Sequence, residues 1–185
     1  ERPLVVGPSG SIDVTGYSRL VVTGIPGAIA LRTGDGPDVR FEARLLDDRT
    51  KPRSVAVWAR GRAIEITPDP ASPSDPALVE VIVPPNLDVA ARISKSRIQV
   101  NGLYSDLEID ATDTEIQVYG VQGSATLRVR GGTFKLQGAS GDVAVDTTPA
   151  RGELNQISGG LDLSATDSEV TVSIINGVFG FDVTG

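Results

Sequence analysis

The second half of this chain repeats a pair of apolar positions separated by one other residue, at a fixed interval. The pairs are Ile98/Val100, Leu107/Ile109, Ile116/Val118, Ala125/Leu127, Phe134/Leu136 and Val143/Val145, followed by Leu161/Leu163, Val170/Val172 and Phe179/Phe181. The step is nine residues. Gly152 with Leu154 fills the one open slot in register, and Val89/Ala91 extends the series backward. Period-two alternation predicts strands with one face toward a core. A nine-residue spacing leaves about four residues for a turn, too few for a helical crossover.

Alternate units differ, so the full repeat is 18 residues. One set carries Gly102, Gly120 and Gly138, each followed by an apolar residue (Leu103, Val121, Ala139), as in the later Ile157 and Ile175. A corner at the glycine predicts that side-chain parity flips inward there. Gln156 and Ile174 interrupt this glycine column, which reads as a corner where a positive φ is not obligatory. A second column, Gly123, Gly141, Gly159 and Gly177, marks the following turn. The other units carry the alternation to a fifth residue (Ile93, Ala111, Val129, Ala165, Val183), with a hydroxyl column beside it of Ser94, Thr112, Thr148, Thr166 and Thr184. Residues 18 apart are therefore expected to lie one above another at a strand spacing of about 4.8 Å, each coil pairing in parallel with the next. The expected fold is an all-β parallel β-solenoid whose 18-residue coils each contain two nine-residue units. Stacking would place Asp110, Arg128 and Asp146 in one column of alternating sign, Lys135 beside Glu153, and Gln99 over Gln117 as an amide ladder.

Residues 1–88 carry similar strands with less regular spacing: Ile12/Val14, Leu20/Val22, Ile29/Leu31, Val39/Phe41, Val55/Val57, Ile64/Ile66 and Val81/Val83. They read as irregular coils continuous with the regular repeats of 89–185, giving one solenoid domain over 1–185. Loops interrupt them at 47–53 and 68–76, and Pro84-Pro85 forms an elbow into the regular part. An N-terminal antiparallel sandwich is the alternative.

Composition narrows the chemistry. The 185 residues contain no Cys, His or Met, which removes disulfides, thiolate or imidazole metal sites and every Ser-His or Cys-His mechanism. No cofactor or metal is expected. Seventeen basic and 24 acidic residues leave a net charge of −7, which disfavours nucleic acid as a partner. The far end is acidic: beyond Arg151 there is no base. No apolar run is long enough for a transmembrane helix. The chain opens at Glu1 and reads as a trimmed or mature fragment. Absence of Cys leans toward an exported protein, secreted or in the cell envelope, with the cytoplasm as the alternative.

Two duplicated strings, Leu107–Glu115 and Leu161–Glu169, place Thr112, Asp113 and Glu115, and again Thr166, Asp167 and Glu169, at one kind of turn. Their functional reading is a docking or calcium-binding edge. Asp and Thr are also ordinary turn residues, and the glycine-rich calcium nonapeptide of β-rolls is absent, so the structural reading is preferred. Tyr104 and Tyr119 fall at outward positions suited to stacking on a sugar or peptide. Trp58 is expected to cover the N-terminal end or join an interface. Asp110 and Asp146 with Arg128 are the nearest match to a glycosidase arrangement, an unfavoured one without aromatic subsites. The last unit, with Phe179, Phe181 and Val183, presents a parallel edge expected to pair with another chain or to be covered by further residues.

The opening strands Leu20 to Ile29, the run Val79-Glu80-Val81-Ile82-Val83-Pro84, and the strings Ser140-Gly141-Asp142-Val143-Ala144-Val145 and Ser158-Gly159-Gly160-Leu161-Asp162-Leu163 carry a resemblance. Through them nearly the whole chain resembles the bacterial putative-adhesin domain family, related to the head GIN domain of putative autotransporter-type adhesins. The resemblance implies a β-solenoid, secreted or tethered to the bacterial envelope, with an adhesion or envelope-sensing role and no catalytic residues to carry over. The expected function is a non-enzymatic recognition module that presents a rigid β surface to a cell-surface glycan or envelope protein. The alternatives are a scaffold that self-assembles into homo-oligomers through its coil edges, and a carbohydrate-active β-helix enzyme.

Overall fold

The computed structural model describes residues 2–185, the side chain of Ile174 excepted. Seventeen strands form one hydrogen-bonded system, and the described residues contain no helix. The strands are β1 (Val5–Gly7), β2 (Ser9–Asp13), β3 (Arg19–Thr23), β4 (Gly27–Thr33), β5 (Asp38–Leu45), β6 (Val55–Arg60), β7 (Ala63–Pro68) and β8 (Ala77–Val83) in the first half. The second half contributes β9 (Asp88–Ser94), β10 (Arg97–Leu103), β11 (Leu107–Val121), β12 (Ala125–Ala139), β13 (Val143–Thr147), β14 (Arg151–Ile157), β15 (Leu161–Thr166), β16 (Glu169–Ile175) and β17 (Phe179–Thr184).

From residue 88 onward the chain winds a parallel β-solenoid with the 18-residue coil that the hydrophobic spacing requires. Ile98 pairs with Ile116, Ile116 with Phe134, and Leu107 with Ala125, every partner 18 residues on. β9, the first part of β11 and of β12, β13, β15 and β17 build one side. β10, the remainder of β11 and of β12, β14 and β16 build the other. Their inward side chains meet in one buried cluster running from Ile12 to Ala165. Each fully buried Leu, Ile or Val contributes about 1.5–3 kcal/mol, so this cluster holds the stack together.

Left-handed residues at two corners turn the chain from one side to the other, except that Pro149 takes the first-corner slot in its coil. At one, Lys95, Asp113, Gly131 and Asp167 have φ of 50, 50, 74 and 50°. At the other, Gly102, Gly120, Gly138 and Gln156 have φ of 64, 71, 78 and 56°. The residues after the second corner, Leu103, Val121, Ala139 and Ile157, are buried, which is the expected parity flip. Gln156 corrects the reading that its side chain exempts it from positive φ: the coil imposes the left-handed conformation against the intrinsic preference of glutamine. Ile174, whose side chain lies outside the described residues, does not test that reading.

The second glycine column has a different cause. A Cβ on Gly141 would lie 2.4 Å from the Gly123 carbonyl oxygen, on Gly159 2.3 Å from that of Gly141, and on Gly177 2.1 Å from that of Gly159. Backbone packs on backbone at this turn, and only hydrogen fits. The neighbouring turn position carries a cross-coil ladder: the N–H of Ser124 donates to Asp106 Oδ1 and that of Gly160 to Asp142 Oδ1, both at 2.8 Å. Gly152 is explained the same way, because a Cβ there would overlap the ring of Phe134, its register partner.

The N-terminal half departs from the expected continuous winding. β3 and β4 form a coil enclosed between β7 and β8 on one side and β9 and β10 on the other, all in parallel. Strands β5 and β6 then pair antiparallel with β8 and β7, and β2 and β1 pair antiparallel with β5 and β6. Thus Leu20/Val22, Ile29/Leu31, Ile64/Ile66 and Val81/Val83 lie in solenoid strands. Ile12, Val39/Phe41 and Val55/Val57 lie in an antiparallel layer over the N-terminal end. The 47–53 loop is exposed at most positions, yet Arg53 reaches across to the Ser72 carbonyl and to Asp75 (3.2 Å), clamping both loops together.

Candidate functional site

Because each coil repeats the last in register, outward side chains line up in straight rows at about 4.8 Å per coil. On the side built from β10, β11, β12, β14 and β16, one row reads Asn101, Tyr119, Gln137, Asn155 and Ser173. This row is uncharged and exposed or half-exposed throughout. The neighbouring row reads Gln99, Gln117, Lys135, Glu153 and Thr171. Lys135 and Glu153 pair at 3.6 Å, as expected. Gln99 and Gln117 are register partners, but the Gln117 amide donates to Glu115 at 3.0 Å, so the glutamine ladder gives way to an ion-dipole contact.

Tyr119 lies in the uncharged row and is half-buried between Asn101 and Gln137. Tyr104 lies beyond the corner of the preceding coil, exposed, with its N–H donating to Thr33 Oγ1 at 3.3 Å. No ring contact joins the two tyrosines among the described residues.

The two acid-and-hydroxyl turns occupy the same corner, but three coils separate them. Asp113 and Asp167 are 54 residues apart, roughly 14 Å along the stack at about 4.8 Å per coil. Within each turn the glutamate has another partner. Arg97 pairs with Glu115 and Arg151 with Glu169, each at 2.9 Å and each one coil earlier than its acid. The Asp113 carboxylate leans over Gly131, whose missing Cβ leaves the room for it. Thr112 is exposed and Thr166 half-exposed on the outer surface. Among the described residues no cluster of three or more acids has a geometry suited to a metal ion.

On the opposite side Asp110, Arg128 and Asp146 are register partners, as expected. The ion pair that forms is a different one: Arg128 reaches Glu108 at 3.7 Å, and Arg19 also binds Glu108, so the expected ladder of alternating charge is replaced by a pair of arginines on one glutamate. Trp58 is half-buried over the N-terminal layer; its Nε1–H donates to Thr67 Oγ1 at 2.9 Å, and the Arg60 guanidinium sits 5.3 Å above its ring. In the last coil Phe179 and Phe181 stack at 5.2 Å, and Val178, Phe179, Phe181 and Val183 are exposed, Val178 at 84% and Phe181 at 65%.

The sequence reading passed over a groove of about 850 Å³ in the N-terminal half. Here the row that includes Asn101 continues backward through charged positions, to Arg32, Ile82, Arg40 and Ser11. The adjacent row continues from Gln99 to Ala30, Glu80, Glu42 and Ser9. No interval in the sequence connects these residues, because the antiparallel layer and the enclosed coil bring them together.

Among the described residues no helix is long and apolar enough to cross a membrane, which says nothing of spanning strands. No family model matches the chain, and no curated protein matches it. Solved structures similar to it include the following two. One is a putative cell adhesion protein from Clostridium sporogenes ATCC 15579, 8% identical, covering 96% of this chain and 99% of its own, with a TM-score of 0.42. The other is a putative lipid binding protein from Parabacteroides distasonis ATCC 8503, 12% identical, covering 100% of this chain and 99% of its own, with a TM-score of 0.31.

Proposed function

We propose that this protein is a non-enzymatic recognition module of the cell envelope or exterior, acting as one solenoid body over 1–185 and presenting the Asn101–Ser173 row to a glycan or protein surface. The observation that carries this reading is the row itself: five uncharged polar positions, one of them aromatic, held in line by backbone pairing across successive coils. Amide groups donate and accept at once, and a tyrosine ring offers an apolar face with a polar tip, a combination that suits hydroxyl-rich ligands. The row is preorganised, so binding orders little of the protein and loses little entropy. Against hydrolysis, Arg128 pairs with Glu108 and not with Asp110 or Asp146, the nearest match to a glycosidase arrangement.

The test is binding of the intact chain to arrayed envelope glycans, compared with Tyr119→Ala and Gln137→Ala. Loss of a positive signal in both variants with unchanged thermal stability supports the row; equal binding by both variants overturns it. A second reading rests on the exposed Phe179, Phe181 and Val183: the last coil pairs with a second copy and the protein assembles through coil edges. Sedimentation equilibrium decides this one. Association abolished by Phe181→Asp supports assembly, and a monomer across the concentration range removes it.

A further inference from the structure

From the N-terminal groove we infer a binding site for a carboxylate-bearing sugar, with Arg32 and Arg40 holding the carboxylate. Both arginines are exposed, and neither makes an ion pair or hydrogen bond among the described residues, in a chain whose net charge is −7. Ile82 stands between them in register, so the two arginines flank an apolar position that Ala30 continues, and the Arg40 guanidinium lies beside Gly34 and Gly36. Guanidinium groups bind carboxylates through paired charge-assisted hydrogen bonds, which makes unpaired arginines beside a groove a specific anion receptor.

The second row defines the rest of the ligand. Glu42 and Glu80 face one another across β5 and β8, and both accompany the arginines along the groove. Glu42 is hydrogen-bonded by Arg44 at 2.6 and 3.0 Å; this bond, with lesser help from Glu80, raises the Arg44 pKa above its usual value. Such acids repel a multiply charged phosphate and accept hydrogen bonds from hydroxyl groups. Gln99 and Asn101 on the far wall supply amides of both polarities. One negative charge, several hydroxyls and an apolar ring face describe a uronic-acid residue. The inference rests on the recognition reading above; the groove and the row share Asn101, and the arginines belong to the groove alone.

The experiment is calorimetric titration of the intact chain with a galacturonic acid tetramer, the corresponding neutral galactose tetramer and inorganic phosphate. The acidic tetramer is expected to bind. Arg32→Ala and Arg40→Ala should each weaken it about tenfold or more, the range for a charged hydrogen bond. Arg32→Lys should recover part of that loss, and Arg130→Ala, at an exposed arginine outside both groove and row, should leave it unchanged; tetramer binding lost in Tyr119→Ala yet kept in both arginine variants would place the ligand on the row and overturn the groove. Equal binding of the neutral and acidic tetramers, no binding of the acidic one, or an affinity unmoved by both arginine variants would overturn the site. Phosphate binding that strengthens in Glu80→Gln while the tetramer fails to bind would overturn it in favour of a simple anion patch.

Discussion

In the regular half every coil lies against the coil that follows it in sequence, 18 residues on, whereas in the N-terminal half the β3–β4 coil lies between β7–β8 and β9–β10. The first arrangement is assembled from local contacts and repeats its outward surface. The second closes loops of about 50 residues before its strands meet, and it breaks the repetition. The consequence is functional as well as topological. Repetition yields flat rows such as Asn101 to Ser173, while the permuted coil and its antiparallel layer yield the concavity that holds Arg32 and Arg40. One device is common to both halves: Phe41 packs under Gly10 across an antiparallel pair, and Phe134 under Gly152 across a parallel pair. In each case the aromatic ring fills the space that the partner glycine leaves open.

The most damaging changes should fall where coils touch through backbone. Gly141→Val forces a side chain onto the Gly123 carbonyl and is expected to destabilise by about 3 kcal/mol or more, read from chemical denaturation. Gly102→Ala, by contrast, meets no atom within 4 Å and strains only its φ of 64°, a cost of about 1–2 kcal/mol. Similar losses in the two variants would break the distinction between the columns. Leu31→Ala, in the coil enclosed on both sides, should lose about 2–5 kcal/mol, and Leu163→Ala, near the open end, less. Hydrogen exchange sharpens the same contrast: amides of β17 should exchange first and those of β3 and β4 last.

A smaller effect tests the fit of one pair. Gly152→Ala alone clashes with the Phe134 ring, while Phe134→Leu alone leaves space beside Gly152; the double variant should recover about 1 kcal/mol relative to the sum of the single losses. The opposite sign is expected for Gln156→Gly, which should stabilise by about 0.5–1 kcal/mol by relieving the left-handed corner.

The smallest effect belongs to two exposed turns of the N-terminal half. Asp13 is hydrogen-bonded by the Thr15 hydroxyl and N–H, and Asp48 by those of Thr50 and by Lys51, which lowers both carboxyl pKa values below the usual 3.8. Their contribution is complete above the unfolded carboxyl pKa of about 3.9 and is lost as pH falls through the lowered folded values. Carboxyl NMR titration should show both groups ionised at pH values where free aspartate is half protonated. Ordinary titration of either would remove that turn from the pH dependence.

Reading the sequence recovered the coil length, the inward columns and the parity flip at Gly102, since each leaves a mark at a fixed interval. It misassigned the partners of Gln117 and Arg128, because register fixes which backbones are adjacent while long side chains reach diagonally to Glu115 and Glu108. Tyr119 was legible as an outward position, and its place in an uncharged row follows from the same arithmetic. The groove was not legible, because Ser11, Arg40, Ile82 and Arg32 are separated by unequal stretches of chain.

The sequence by itself determined the solenoid from residue 88 onward, because a repeating pattern of burial admits one register in which every apolar column faces inward. Tertiary structure alone decided the order of coils in the first half, the direction of β1, β2, β5 and β6, and the left-handed conformation of Gln156. Apolar alternation is identical for parallel and antiparallel strands and for near and distant neighbours, so which edges meet is settled only when loops, corners and the shared core are satisfied together.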